Sequence, residues 1–363
     1  MNIHLIKLLD AAIGRIVASV FPAPLRVNTP STITSLLLIR PGGIGDALLL
    51  APAIRSLKYI HPKVTITILA ERRNAGVFSL IPGVDKLLCY DHPRVMFLAL
   101  QNNYDVVIDT EQWHRLSAVV ARFVSAPVKI GFDTNERRRM FTHVIPYSHD
   151  DYETVSFAHL LEPLGIGAEM ADVEVPFLSI PDAASVKVAG ILQSIQEGPY
   201  VTLFPGASIP ERRWGAERFK HVAKVLTNFG VKVVVIGGKE DRLQGDVIAD
   251  GGGALNLAGI TSLSETAAVI KKSTMLLSGD SGVLHIAVGL GIPTVSLFGP
   301  GRVKKWAPQG DHHVVIYKGL PCSPCTTFGT TPSCLDNVRC MRDTSVEDVV
   351  NAVTMLLKSV VRP

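Results

Sequence analysis

The sequence predicts an α/β protein built from two Rossmann-like domains whose parallel sheets face a cleft between them. Short β-rich runs alternate with helical patterns along the chain, most runs end in Gly, Asp or Pro just before a helix, and the pattern restarts near residue 180. With 363 residues, 47% of them hydrophobic, the chain can bury two cores of ordinary size. Ligands of open parallel sheets bind at the carboxyl ends of the strands, so those ends should carry the function.

The pattern divides the chain into four segments. Residues 1–34 form an N-terminal extension, 35–180 a first Rossmann-like domain, 181–345 a second, and 346–363 a final amphipathic helix that braces one of the two. In the first domain we expect strands at SLLLI, VTITIL, KLLCY, YDVVIDT, VKIGFD and HVIP, with one helix over residues 47–60. In the second we expect strands at YVTLFPG, KVVVIGG, ALNLAG, TMLLSGD and PTVSLFGP.

The extension contains the stretch IHLIKLLDAAIGRIVASVF, whose polar residues recur every three or four positions and leave a broad apolar face on a helix. Lys7, Asp10 and Arg15 interrupt this stretch, so it is neither a transmembrane span nor a signal-peptide core. Two interpretations stay open. The helix lies on a membrane surface, or it docks on the core of the protein itself.

Charge and cysteine content narrow the classes of function. A net charge of +4 is too small for a dedicated nucleic-acid binder but suits an anionic small substrate or an anionic lipid surface. Four of the five cysteines lie between Cys322 and Cys340, unlike a secreted disulfide framework, which favours a reducing, cytoplasmic location. Cys322, Cys325, Cys334 and Cys340 either hold a structural zinc ion or, because their second pair lacks the tight knuckle spacing, form a non-catalytic thiol cluster.

The first chemical motif is LLLIRPGGIGDALLLAPAIRSL, residues 36–57. A run of aliphatic residues breaks at Pro41 into a turn that contains Gly42, Gly43 and Gly45, and Asp46 follows. Glycines let a backbone approach a ligand, because they lack a Cβ and accept positive φ. Asp46 is therefore either the N-cap of the next helix or a reactive carboxylate that points into a cleft.

The strongest local signal is LLSGDSGVLHIAVGLGIPTVSLFGP, residues 276–300. A buried strand runs into Asp280, Ser281 and Gly282, where backbone N–H groups and the helix dipole favour a phosphate. His285 follows one turn later and should face the same opening. The alternative is a plain N-cap at Asp280 or Ser281 and a packed core histidine.

Two further strand ends carry polar groups, in LFPGASIPERRW and VIGGKED. Guanidinium groups after the first strand suit a diphosphate clamp, although arginines at a helix start can also be ordinary surface residues. Carboxylates after the second suit a ribose diol, or simply favour a helix N-terminus. The groups concerned are Gly206, Ser208, Arg212 and Arg213 in the first stretch, and Glu240 and Asp241 in the second.

Taken in order, IRPGGIGDALLLAPAIRSL, FPGASIPERRW, VVIGG, NLAGITSLSETAAVI and SGDSGVLHIAVGLGIPTVSLFGP resemble the glycosyltransferase family 9 heptosyltransferases over roughly residues 35–345. Neither a G-x-G-x-x-G fingerprint nor a P-loop lysine is present. The resemblance implies a GT-B fold and transfer of heptose from ADP-heptose to an anionic lipopolysaccharide inner-core acceptor. It also implies inversion without a metal or cofactor, at the cytoplasmic face of the inner membrane of a Gram-negative bacterium, with no nucleic-acid partner.

The functional residues of the family carry over by motif. Asp46 matches the catalytic aspartate in the glycine-rich turn, which takes a proton from the acceptor hydroxyl. Asp280, Ser281, Gly282 and His285 match the Asp-Thr/Ser-Gly-x-x-His donor motif. The other matches are Arg212, where members commonly have lysine, Thr261 at a nucleobase-contacting position, and Glu240 or Asp241 at a ribose-binding acid.

The acceptor side is predicted from charge and from the glycine-rich turn. Gly43 and Gly45 should let the acceptor approach the base, and basic residues of the first domain suit the phosphate or carboxylate groups of a lipopolysaccharide core. A solvated charged face is the alternative. The basic candidates are Arg72, Arg115, Arg137 and Arg138.

Two other functions stay open. A glycosyltransferase or epimerase of the same fold could use a UDP- or GDP-sugar. The second alternative is a non-catalytic binding protein that descends from a transferase. The presence of Asp46, Asp280 and His285 together disfavours this alternative.

Overall fold

The computed structural model describes residues 10–170, 174–195, 198–251 and 253–360, and within them the chain forms two six-stranded sheets. The chain divides into two compact units, Met1–Phe177 and Leu178–Pro363. The first part of the predicted N-terminal helix, residues 1–9, lies outside the described residues.

The first sheet is entirely parallel and has the strand order β3-β2-β1-β4-β5-β6. Its central strands are buried along almost their whole length, which explains why they read as continuous aliphatic runs rather than as alternating patterns. The strands are β1 (Ser35–Arg40), β2 (Thr65–Ala70), β3 (Lys86–Cys89), β4 (Val106–Asp109), β5 (Val128–Phe132) and β6 (His143–Ile145).

The helices of the first unit follow the strands as predicted, with one difference. The helix expected over residues 47–60 begins earlier, at Ile44, and divides at Leu50. Pro52 has no N–H to donate to the carbonyl group of Leu48, so the helical ladder is interrupted there. The helices are α1 (Arg15–Val20), α2 (Ile44–Leu49), α3 (Ala51–Ile60), α4 (Pro93–Gln101), α5 (Arg115–Phe123) and α6 (Glu153–His159).

The described part of the extension docks on the first unit. A π-helical turn, Asp10–Gly14, leads into α1. The carboxylate of Asp10 accepts hydrogen bonds from the N–H groups of Arg115 (2.6 Å) and Leu116 (2.8 Å), and so satisfies orphan donors at the start of α5. Ala18 is fully buried in the core beneath. The outward side of this segment exposes Ile13, Ile16 and Val20.

The second sheet is also parallel, with the strand order β12-β11-β10-β7-β8-β9. Its edge strand β12 was not predicted from the sequence. The strands are β7 (Tyr200–Phe204), β8 (Lys232–Val235), β9 (Ala254–Asn256), β10 (Met275–Gly279), β11 (Thr294–Phe298) and β12 (His313–Tyr317). The helices are α7 (Asp182–Ile191), α8 (Ala216–Asn228), α9 (Arg242–Ala249), α10 (Leu263–Lys271), α11 (Gly282–Gly289), α12 (Val303–Trp306), α13 (Arg339–Arg342) and α14 (Val346–Val360).

The final helix, α14, braces the second unit. Val349, Val353 and Leu356 are buried in the same core as Phe219 and Leu226 of α8. In the described parts of the chain, every helix falls short of the length and apolar character that a membrane crossing requires.

Both sheets share one topology, which confirms the predicted fold class. Numbered from its own first strand, each has the order 3-2-1-4-5-6 of the doubly wound fold. The direction of winding reverses between β1 and β4 in the first unit and between β7 and β10 in the second. These two switch points are where the fold opens a crevice at the carboxyl ends of its strands.

Candidate active site

The first switch point holds Asp46. The N-cap of α2 is Gly43, and Asp46 is the third residue of the helix, so it is not the cap that one interpretation of the sequence suggested. Its carboxylate Oδ2 lies 3.4 Å from Nη2 of Arg40, the last residue of β1. The side chain of Asp46 is 26% exposed and that of Arg40 only 2%. The outer group of the pair is therefore the carboxylate.

Arg40 is anchored by backbone as well as by charge. Its Nε donates to the carbonyl oxygen of Pro41 (2.6 Å), and its Nη1 donates to that of Thr110 (2.8 Å), which follows β4. Its Nη2 also lies 3.6 Å from Oε2 of Glu111, and the guanidinium carbon lies 5.8 Å from the centre of the Phe157 ring. The guanidinium group thus joins the carboxyl ends of the two strands that form the switch point.

Behind Arg40 lies a buried set of charges. Burial alone would raise the pKa of Glu111, but the charges of Arg40, His114 and Arg137 and a hydrogen bond from the N–H of Trp113 together outweigh it, and the pKa lies below its ordinary value. At Asp109 burial outweighs the ion pair with Arg137 (2.6 Å), so its pKa is raised. Glu153, also buried, accepts hydrogen bonds from Gln112 and Tyr147.

The glycines of the turn have different roles. Gly42 has φ of +98°, and a Cβ there would lie 3.1 Å from Nη2 of Arg40, so glycine is required by the backbone and by the guanidinium group. Gly43 has an ordinary extended conformation, and a Cβ there would meet no atom within 4 Å. The space above Gly43 is therefore open. Gly45 lies in the first turn of α2, next to Asp46.

The predicted acceptor arginines separate into two groups. Arg137 was predicted to face a ligand, and this is corrected by the structure: its side chain is fully buried and paired with Asp109, because two buried charges compensate each other better than either does alone. Arg115 is also engaged, with Nη2 2.7 Å from Glu136 and its exposed fraction at 12%. Arg72 and Arg138 are exposed.

The second switch point holds Arg212 and Asp280. Arg212 follows β7 and Asp280 follows β10, and Nη1 of the arginine lies 3.1 Å from Oδ2 of the aspartate. Here the exposed fractions are 15% for Arg212 and 5% for Asp280, so the outer group is the guanidinium. A Cβ on Gly301 would overlap Oδ2 of Asp280, which makes glycine necessary beside the pair.

The start of α11 adds backbone donors to this point. Ser281 is the N-cap, and its hydroxyl accepts a hydrogen bond from the N–H of Leu284, so this part of the motif has the capping role that the sequence left open. Gly282 is the first helical residue. His285 is buried in the helix, and burial lowers its pKa to about 4, so it is neutral at physiological pH.

Two polar atoms at this point are buried without a hydrogen-bond partner among the described residues. They are Nε of Arg212 and Nδ1 of His285. Buried polar groups are nearly always hydrogen-bonded, so unsatisfied atoms that converge on one strand edge indicate a ligand site.

The remaining donor candidates differ in accessibility. Asp241 is buried, its Oδ2 accepts a hydrogen bond from the N–H of Gly238 (3.0 Å), and burial raises its pKa. A Cβ on Gly206 would overlap the carboxylate of Asp241. Glu240 is exposed, so of the two acids it is the one open to a ligand. Ser208 is exposed, and Thr261 is half-buried with its hydroxyl 2.8 Å from that of Thr266.

The cysteine-rich loop packs beside the second switch point. The N–H groups of Cys325 and Thr326 donate to the carbonyl oxygen of Pro300. Burial raises the pKa of Cys325 and Cys340, and neighbouring thiols raise both further. Among the residues that the structure describes, no three His, Cys, Asp or Glu side chains are arranged to hold a metal ion.

Sequence reasoning missed Arg40, Asp109 and Glu111. A signal for each was available, since Arg40 ends the aliphatic run LLLI and the acids follow VVI at the end of β4. Charged residues at the carboxyl ends of two buried parallel strands are candidates for a shared site.

Two doubly wound α/β units in one chain have the architecture of the GT-B fold. The family model described as "Glycosyltransferase family 9 (heptosyltransferase)" matches residues 96–335, and the chain belongs to this family. It is a glycosyltransferase, as the motifs predicted.

Characterised relatives and solved structures agree with this assignment. The chain is 27% identical over 299 residues to lipopolysaccharide heptosyltransferase 3 of Escherichia coli, an alignment that covers 76% of this chain and 86% of that protein. It is 23% identical over 306 residues to lipooligosaccharide heptosyltransferase 2 of Haemophilus influenzae, covering 78% and 88%. The structure of E. coli ADP-heptose lps heptosyltransferase II is similar with a TM-score of 0.72 at 21% identity, covering 90% of this chain and 99% of that one.

Proposed function

We propose that the protein is an inverting, metal-independent transferase that moves heptose from ADP-heptose to an inner-core lipopolysaccharide acceptor. The observation that carries the proposal is the outward carboxylate of Asp46 at the first switch point, next to open space above Gly43. The names of the relatives support heptose and lipopolysaccharide, and a similar E. coli heptosyltransferase was solved with ADP (TM-score 0.66).

Asp46 acts as the general base. Its carboxylate takes the proton from the acceptor hydroxyl while that oxygen forms a bond to the anomeric carbon, and the bond from that carbon to the diphosphate breaks. The electron pair of the broken bond leaves with ADP. Because the hydroxyl attacks from the face opposite the leaving group, the anomeric configuration inverts.

Arg212 balances the charge of the leaving diphosphate. Its guanidinium is the outer member of the pair with Asp280, and the free N–H groups at the start of α11 lie at the same switch point. Nε of Arg212 and Nδ1 of His285, which are buried without hydrogen-bond partners among the described residues, are available to this ligand. A fixed cation at this position supports transfer without a metal, because it supplies the positive charge that the leaving group needs. Exposed Glu240 is the candidate for the ribose, and Thr261 for the adenine.

The acceptor is anionic and attached to a lipid, so the first unit should meet both charge and membrane. Arg72 and Arg138 are the exposed cations for the inner-core phosphates or carboxylates. The outward face of the extension exposes Ile13, Ile16 and Val20, which suits an interfacial helix on the cytoplasmic side of the inner membrane.

The direct test is release of ADP from synthetic ADP-heptose in EDTA, with and without a deacylated inner-core acceptor. We expect acceptor-dependent release of ADP from ADP-heptose and little release of UDP from UDP-glucose or of GDP from GDP-mannose, and NMR of the product should show the inverted anomeric centre. Faster turnover of a UDP- or GDP-sugar would show that the protein uses that donor instead of ADP-heptose. A requirement for added divalent cation, or a retained configuration, would contradict the mechanism.

Membrane contact has a separate test. Wild-type protein should sediment with vesicles that contain anionic lipid, and the triple variant Ile13→Ser, Ile16→Ser, Val20→Ser should remain largely in the supernatant. Val186→Ser replaces another exposed valine, in the second unit, and serves as the control. Equal sedimentation of all three proteins would exclude this face as the contact.

A further inference from the structure

We propose that Arg40 is a positioning residue for the transfer reaction, holding the carboxylate of Asp46 in one orientation. This inference rests on the proposed role of Asp46 as the base. Arg40 itself does not face a ligand, because its side chain is only 2% exposed. It acts through Asp46.

The geometry favours orientation over simple charge pairing. Arg40 has two of its N–H groups fixed on the carbonyl oxygens of Pro41 and Thr110, which belong to the ends of two hydrogen-bonded strands. The remaining nitrogen, Nη2, lies 3.4 Å from Oδ2 of Asp46, and the left-handed backbone of Gly42 makes room for it. A planar guanidinium group that is held at Nε and Nη1 has little freedom to rotate. The contact of Nη2 therefore defines where the carboxylate of Asp46 lies.

Among the described residues, Arg40 is the hydrogen-bond partner of Asp46. Nothing else in that part of the chain holds the carboxylate in place. A base that is misplaced by about 1 Å loses on the order of 100-fold in rate.

Charge is the second part of the role. Glu111 lies 3.6 Å from the same nitrogen of Arg40, so without the arginine two carboxylates would remain at the switch point with no cation between them. Arg40 therefore compensates the charges of both carboxylates at once. The charged or titratable groups that act on Arg40, Glu111 or their neighbours are Asp46, Asp109, Glu153, Arg137, His114 and Tyr147.

Three variants separate these effects, with transfer measured as ADP release from ADP-heptose to the deacylated inner-core acceptor across pH. R40K keeps the charge but not the planar fork, so kcat should fall on the order of 100-fold while KM for both substrates stays within about threefold. R40M removes the charge as well and leaves Asp46 and Glu111 without the cation that they share, so kcat should fall at least as far as in R40K. R40M/E111Q removes both buried charges, so it should fold even if R40M does not, and its kcat should stay low.

The matched control is K58M/D85N, which removes an ion pair (2.6 Å) of the same unit that lies at the amino ends of β2 and β3. It should lower stability without moving kcat or the pH profile. Wild-type kcat in folded R40K and R40M/E111Q would overturn the inference, and so would a loss confined to KM. If the wild-type protein itself transfers no heptose, or if D46N remains active, the proposed function fails instead, and the role of Arg40 fails with it.

Discussion

The two switch points share a topology and an arginine–aspartate pair, yet they present opposite charges. In the first unit Arg40 is the buried member and Asp46 the outer one, with exposed fractions of 2% and 26%. In the second unit Asp280 is the buried member at 5% and Arg212 the outer one at 15%. The same crevice of the same fold thus offers a carboxylate in one unit and a guanidinium in the other.

The difference shows that burial, rather than residue type, assigns the chemistry. A buried partner is held by its surroundings, and it orients the outer group. A carboxylate held in this way can accept a proton, whereas a guanidinium held in this way can bind a diphosphate. In the proposed mechanism, one topology used twice supplies both the base and the cation.

The largest expected effect is on the first unit. D46N keeps the size of the side chain but removes its ability to accept a proton, so kcat should fall on the order of 1,000-fold with KM nearly unchanged. Steady-state ADP release measures both constants, and D311N, at an exposed aspartate, is the control. A D46N enzyme with near-wild-type kcat would remove Asp46 from the chemistry.

In the second unit, the buried side chain of His285 should make the free energy of unfolding depend on pH. Folding lowers the pKa of His285 to about 4 from 6.5, so between these values the unfolded chain binds more protons than the folded one and stability falls as pH falls. Replacement by asparagine removes this contribution, and the loss of unfolding free energy between pH 7 and pH 5 should shrink by about 2 kcal/mol.

Urea denaturation of wild type and H285N at the two pH values measures this difference. Contributions from other histidines, His313 among them, cancel in the comparison. H92N replaces an exposed histidine and is the control. If H285N loses as much stability on acidification as the wild type does, His285 is not held neutral by burial.

The smallest expected effects come from substitutions in the glycine turn of the first unit. One glycine there should affect stability and the other should affect acceptor binding. G42A places a Cβ at φ of +98° and 3.1 Å from Arg40, which should lower the free energy of unfolding by about 1–3 kcal/mol. G43A meets no atom within 4 Å, so its stability should match the wild type while KM for the acceptor rises several-fold. Thermal melts and acceptor titrations distinguish the two. Equal stability of both variants would contradict the assigned roles.

Local patterns predicted most of the fold. Aliphatic runs that end in turn residues identified all six strands of the first sheet, and the signal is strongest in β1, β2, β4 and β5, which are buried on both faces. Strand β12, a half-buried edge strand, was missed although its sequence HVVIY contains an apolar run. The split of the first long helix depends on Pro52, whose effect is local and was readable.

The candidate site was predicted in part. Asp46, Arg212 and Asp280 lie at strand ends, where position alone suggests function. Arg137 was assigned to the surface because its neighbours in NERRRM are charged, yet its partner Asp109 lies 28 residues away in sequence. Pairings of this range, like that of Arg40 with Glu111, follow from strand order and burial, which a single sequence does not display.

The account is tested most directly by calorimetric titration of ADP, in EDTA, into wild type, D46N and R212M. If the first unit supplies the base and the second the cation, D46N should bind ADP as the wild type does, and R212M should bind it about 10- to 100-fold more weakly. Equal weakening in both variants, or wild-type affinity in R212M, would contradict the division of charge between the two switch points.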